Sequence, residues 1–246
     1  MKKKIQIYLN SKRANKYIND TTANCIFHLP FIHTPTNKKH SVSISVLSAQ
    51  IPCSYYNVNE NNIKIIYNLN SGEPIDVIIE PSNYNINTLI TELKSHMNGF
   101  EITYNNMTGK LTFEHHTFII KFYNESTCFE LLGFSNKDHV STFGNTIASD
   151  SVINLYTVQM IQIASDNFIL DNIDSYTPNN SNILQSLPVT SAFGSIIHYS
   201  NLHDLQSDIN TTRNLTNLHI MLLNQNDEVI QLNGSHWSIV LLLTIE

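Results

Sequence analysis

Apolar residues in this chain recur mostly at every second position, in short runs closed by Asn, Ser, Gly or Pro. In "HSVSISV", Val42, Ile44 and Val46 alternate with serines, the pattern of a strand with one buried face. "NIKIIYNL", "IDVIIE", "FIIKFY" and "TVQMIQIA" are β-branched or aromatic runs bounded by turn formers, and each predicts a strand. "EITYNNMTGKLTFE" predicts a hairpin of Glu101–Tyr104 and Lys110–Glu114, with Gly109 supplying a positive φ in the loop. A second hairpin is expected in "LHIMLLNQNDEVIQL", turning at Asn224–Asp227. Asn233–Gly234 then reverses the chain into the last strand, so a three-stranded meander is expected at the C-terminal end.

Two stretches break the period. In "NYNINTLITELKSHMNGF", Ile86, Leu89, Ile90, Leu93 and Met97 recur at helical spacing. Asn85 or Asn87 is the N-cap and Gly99 the stop, which predicts a helix over 86–98 packed on the sheets. "STCFELLGF" predicts a shorter helix ending at Gly133. Many short strands and few helices predict a mostly β, antiparallel β-sandwich. Neither a linker nor an internal repeat divides it, and the polar stretch Asp171–Asn182 reads as a long loop. One sandwich domain is therefore expected over 17–246, after a basic arm at 1–16.

The closing run raises a separate question. Trp237, Ile239, Leu241, Leu243 and Ile245 fall on one face, Val240 and Leu242 on the other. Such a strand is covered on both sides, yet in a two-layer sandwich only one face meets the partner sheet. The second face is expected to meet an extra helix or another subunit. Trp237, the only tryptophan, is expected at the buried start of this strand and is also a candidate interface residue.

Charge sharpens the picture. Charged residues are 14% of the chain against 41% hydrophobic, well below the roughly 25% charged content of ordinary domains. A surface covered by neighbours explains this, and so does an AT-rich genome that favours Asn, Ile and Lys. Residues 1–121 hold 12 of the 14 Lys and Arg against 8 acids, and residues 122–246 hold the other 2 against 12. Lys2, Lys3, Lys4, Lys12, Arg13 and Lys16 form a basic cluster suited to nucleic acid or acidic protein, or to a solvated terminus. The expectation is an arm whose deletion leaves the fold intact.

No stretch has the pattern of GxSxG, a P-loop, HExxH or GxGxxG. Cys25, His28, His33 and His40 lack the paired spacing of a structural zinc site, and His115 and His116 would point to opposite faces of a strand. No catalytic, cofactor or metal residue is expected, and a β-sandwich hydrolase is disfavoured. Cys25, Cys53 and Cys128 make no disulfide framework. The apolar part of the start is too short for a signal peptide, and no run approaches the ~18 apolar residues of a membrane span. A reducing compartment is expected. Tyr55, Tyr56 and Tyr84 are candidate platforms for a glycan, or else core residues.

Several of these stretches occur in a recognisable order: "SAQIPCSYYNVNENNIKI", "IIEPSNYNINTLITELKS", "ITYNNMTGKLTF", "FELLGF", "ILQSLPVTSAFGSIIHYSN" and "LHIMLLNQNDEVIQLNGSHWSIVLLL". Together they resemble the minor capsid or penton-type proteins of polinton-like viruses, virophages and large eukaryotic DNA viruses, from about Ser41 to Leu243. The resemblance implies a single jelly roll in an icosahedral capsid, most simply the penton, a homopentamer at five-fold vertices beside the major capsid protein. It implies no catalytic residues and a place in the virion, assembled in the host cytoplasm or a viral factory. The basic cluster would then lie on the inner or neighbour-facing side, and an interior membrane, scaffold or genome is its candidate partner. A non-penton minor capsid (cement) protein and a receptor- or glycan-binding sandwich of the virion surface are the alternatives.

Overall fold

The computed structural model describes residues 3–32, 42–141, 144–168, 170, 181–203, 205–209 and 215–245. In chain order, β1 (Lys3–Asn10), a 3-10 turn (Ser11–Arg13), β2 (Lys16–Ile18), β3 (Thr21–Ile32) and β4 (Val42–Pro52) come first. There follow β5 (Lys64–Leu69), β6 (Ile75–Ile78), α1 (Ile86–His96), β7 (Phe100–Asn105), β8 (Lys110–His115) and β9 (Ile120–Phe122). Next are α2 (Phe129–Leu132), β10 (His139–Val140), β11 (Thr146–Ala148) and β12 (Met160–Ala164). The last strands are β13 (Ile183–Pro188), β14 (Ile196–Ser200), β15 (Ser207–Asp208), β16 (Leu215–Leu223) and β17 (Ser238–Ile245).

These elements form two compact units, one of Met1–Tyr55 with Val158–Glu246 and one of Tyr56–Thr157. A single domain over 17–246 was expected from sequence. The apolar alternation runs through both units without a linker, which is why composition does not mark the division.

The first unit is a pair of antiparallel sheets, ordered β1-β17-β4-β14, with β15 also on β4, and β13-β12-β16-β3-β2. Along the chain β1, β4, β14 and β17 go to one sheet, while β3, β12, β13 and β16 go to the other. This shuttling is the jelly-roll wrap. Alternate residues of the first sheet (Ile7, Leu9, Ile44, Val46, Ile239, Leu241, Leu243) share one core with Cys25, Phe27, Ile161, Ile163, Ile220 and Leu222 of the second.

The closing strand β17 lies between β1 and β4, with Ile7 opposite Leu241 and Ile44 opposite Leu243. It has no open edge. Its second face is also covered within one chain, since Leu242 is 6% exposed and Thr244 0%. The expected need for an outside partner on that face is thus removed. The expected meander is absent too. "EVIQL" makes one bridge to β16, Leu223 to Val229, and the chain then crosses to the other sheet. Asn233 and Gly234, at φ 48° and 78°, make the turn before that crossing.

The second unit holds the sheets β10-β9-β5-β6 and β11-β8-β7. The β7–β8 hairpin pairs as expected, with Phe100 opposite His115 and Gly109 at φ 68°. Asn85 caps α1 through Asn87 N and Thr88 N, and Thr88 returns the bond to complete a capping box. Leu89, Leu93 and Met97 bury the helix against Ile65, Phe100, Ile102, Phe113 and Phe122. α1 therefore belongs to the core of this unit, not to that of the jelly roll.

Candidate assembly surface

The basic cluster lies on β1, the turn after it and β2 rather than on a free arm, apart from Lys2, which is outside the described residues. Ile5, Ile7 and Leu9 alternate in β1, and pairing with β17 buries Ile7 and Leu9. That period-2 signal was present in the sequence beneath the lysines. Lys3 and Lys4 are exposed on β1, Lys12 and Arg13 on the following turn, and Lys16 opens β2. Asn10 sets the turn, its side chain accepting from Lys12 N at 2.9 Å.

β1 is the edge of one sheet and β2 the edge of the other, and residues 11–15 join them, so these cations share one lateral side of the sandwich. A groove of about 540 Å³ opens there, lined by Tyr8, Asn10, Arg13, Asn15, Phe27 and His28. Asn15 Oδ1 shapes it by accepting from His28 N at 2.7 Å.

The opposite lateral side is formed by the edges β13 and β14, tied by the Tyr199 hydroxyl donating to Gln185 Oε1 at 2.9 Å. From Ser175 to His203 the sequence has no Asp, Glu, Lys or Arg. Large apolar side chains stand out from this side: Phe193, Ile196, Leu202 and Leu205, with Leu202 84% exposed. Each signal was legible in the sequence, but their shared face depends on the strand order.

Trp237 is not a surface residue. It is 1% exposed, with Nε1 donating to Thr22 O at 2.7 Å, its backbone N–H donating to Ser11 Oγ and its ring meeting the edge of Phe27. It anchors the fold, and the interface role suggested from sequence is corrected.

Among the described residues, no group of three or more His, Cys, Asp or Glu is placed to hold a metal. Cys25 is fully buried on β3 with its thiol donating to Thr22 O. His28 lies three residues on, exposed on the opposite face, and His33 and His40 are outside the described residues. Burial pushes the Cys25 and Cys128 thiols up to about 12, so both are held protonated. His115 is buried and His116 exposed. His115 Nδ1 accepts from Thr117 N and Phe118 N at 3.2 and 3.1 Å, an arrangement that sequence spacing does not reveal. Tyr55 and Tyr84 each pack on the core of their own unit. His219 links β16 to β3 through Asn24 Oδ1 at 2.6 Å and also reaches Asp166 at 3.0 Å. Nothing in the sequence around His219 singled it out.

The formal charge of −6 resides in Tyr56–Thr157, which has 11 acids and 5 bases, whereas the jelly-roll unit has 9 of each. Residue 121 lies inside the acidic unit, so the charge of the two sequence halves does not follow the division into units.

The architecture defines a mostly β protein of the jelly-roll class. Neither a protein-family model nor a curated protein matches the sequence. Among solved structures the chain is similar to the mavirus penton protein, crystallised with selenomethionine. The TM-score is 0.52 and the identity 10%, over 98% of this chain and 99% of that one.

Proposed function

We propose that this protein is a structural subunit of an icosahedral viral capsid, a penton protein that forms homopentamers at the five-fold vertices. The observation that carries the reading is the extent of the likeness to the mavirus penton. It spans 98% of this chain, so it takes in both compact units and not the jelly roll alone. A subunit of this kind acts by covering surface rather than by turnover. The sandwich supplies two unlike lateral sides for that purpose, and its partners are further copies of itself and the major capsid protein. The exposed lysines on β1 and β2 would add salt-screened contacts to an acidic surface of a neighbouring chain.

Co-expression with the major capsid protein tests this. The protein should enter purified particles and label their vertices, and its omission should leave vertices open. Particles that close normally without it would contradict the reading. The basic residues need a substitution test, because removing 2–16 would strip β1 from β17 and expose the apolar row of the core. Lys3, Lys4, Lys12, Arg13 and Lys16 changed together to Gln should leave melting unchanged and lower incorporation. Incorporation at the wild-type level would remove the basic side from the account.

A further inference from the structure

The two lateral sides of the jelly-roll unit are set level with each other by the strand register. Lys4 lies opposite Thr244, Thr244 opposite Ser43, and Ser43 opposite Asp208. A cation at one edge and a carboxylate at the other therefore occupy one row across the sheet, and both are exposed. The row Asn10–Ser238–Gln50–His198 runs the same way. It puts the β1–β2 groove at the height of β14, beside which Phe193 and Ile196 stand exposed. With strands about 4.8 Å apart, Lys4 and Asp208 are separated by roughly 14 Å within one chain. They cannot pair with each other there.

We propose that the β1–β2 side of one copy docks on the β13–β14 side of the next, with Lys4 facing Asp208 and Phe193 and Ile196 seated at the groove lined by Tyr8 and Arg13. This rests on the reading of the protein as an assembling subunit, and it names the surface used.

Charge selects a second copy as the occupant. The described part of the β1–β2 side presents Lys3, Lys4, Lys12, Arg13 and Lys16, with no acid in the sequence before Asp20. The described part of the β14–β15 side presents Asp208 and no Lys or Arg. Two basic sides repel, so edge-to-edge pairing of β1 with β1 is disfavoured. An uncharged surface such as Phe193–Ile196 loses little solvation when covered. The two patches differ, so the contact is heterologous, and copies repeated through it form a closed ring where the rotation from one to the next divides a full turn.

The experiment is native mass spectrometry of the full chain over a concentration series, at low and high salt. Lys4→Asp and Asp208→Lys should each weaken association about tenfold, a change of about 1.4 kcal/mol. The double variant should return to the wild-type value, and Ile196→Lys should abolish association. Lys4 and Asp208 are exposed, so melting should not change. If a reversal does lower melting, Lys4→Gln and Asp208→Asn make the same comparison. Wild-type association by both single variants, a double variant no better than the singles, or a wild type monomeric at every concentration would each overturn the proposal. Incorporation of wild-type protein into particles is scored separately, so a wrong surface and a wrong capsid role give different results.

Discussion

Trp237→Ala should cost about 3–5 kcal/mol, because it empties the space beside Phe27 and leaves Thr22 O without its indole donor. Denaturant unfolding measures this, and a loss under about 1 kcal/mol would show that the site collapses without the ring. Thr244→Val should act the other way. The Thr244 hydroxyl is fully buried and has no hydrogen-bond partner among the described residues, so its removal should raise stability by about 1 kcal/mol. His115 gives the chain a pH response. Burial, and then the neighbouring His116, hold its pKa below the usual 6.5, and its Nδ1 is used as an acceptor. Above 6.5 the ring is neutral whether the chain is folded or unfolded, and its contribution is complete. As pH falls below 6.5 the unfolded ring protonates first, so stability declines until the lower folded pKa is passed. Unfolding midpoints at pH 7.5 and 5 should show this fall, and His115→Gln should flatten it. The burial of Trp237 was legible from its place before an apolar run. The role of His115 was not, because its partners are backbone N–H groups of a turn and rings brought up by the fold.

The elements that sequence located best are those whose signals are local. α1 carries its own cap, and Asn85→Ala should cost about 1 kcal/mol in thermal or denaturant unfolding. Gly133 ends α2 at φ 80°, and a Cβ there would collide with the backbone oxygen of Ser151. Gly133→Ala should therefore destabilise by roughly 2–4 kcal/mol, which the same unfolding measurement reads. Elements whose definition is non-local were misplaced. β1 read as a basic arm because its lysines obscured Ile5, Ile7 and Leu9, and only pairing with β17 makes it a strand. "EVIQL" has strand composition, but its chain leaves β16 after one bridge. Its apolar residues Ile230 and Leu232 join the core without a ladder.

At the scale of the whole molecule, a jelly roll carries a second compact unit in the sequence between β4 and β12. Asn57 Nδ2 donates to Tyr84 O at 2.8 Å and to Leu155 O at 3.2 Å, so segments near the two ends of that unit are tied together. Close termini and a separate core are the properties of a unit that can fold alone. Residues 56–157 expressed by themselves should give a cooperative unfolding transition, and an unfolded fragment would show that the unit depends on the rest of the chain. The β class and both helices were legible along the chain, but the lateral sides were not, because an edge is defined by strand order and not by composition. The central claim, that this is a vertex subunit, is tested most directly by a near-atomic reconstruction of the particle. The jelly roll should appear in five copies around each five-fold vertex, with Trp237 resolved inside the sandwich. Vertex density that only another chain can fill, or particles without this protein, would contradict it.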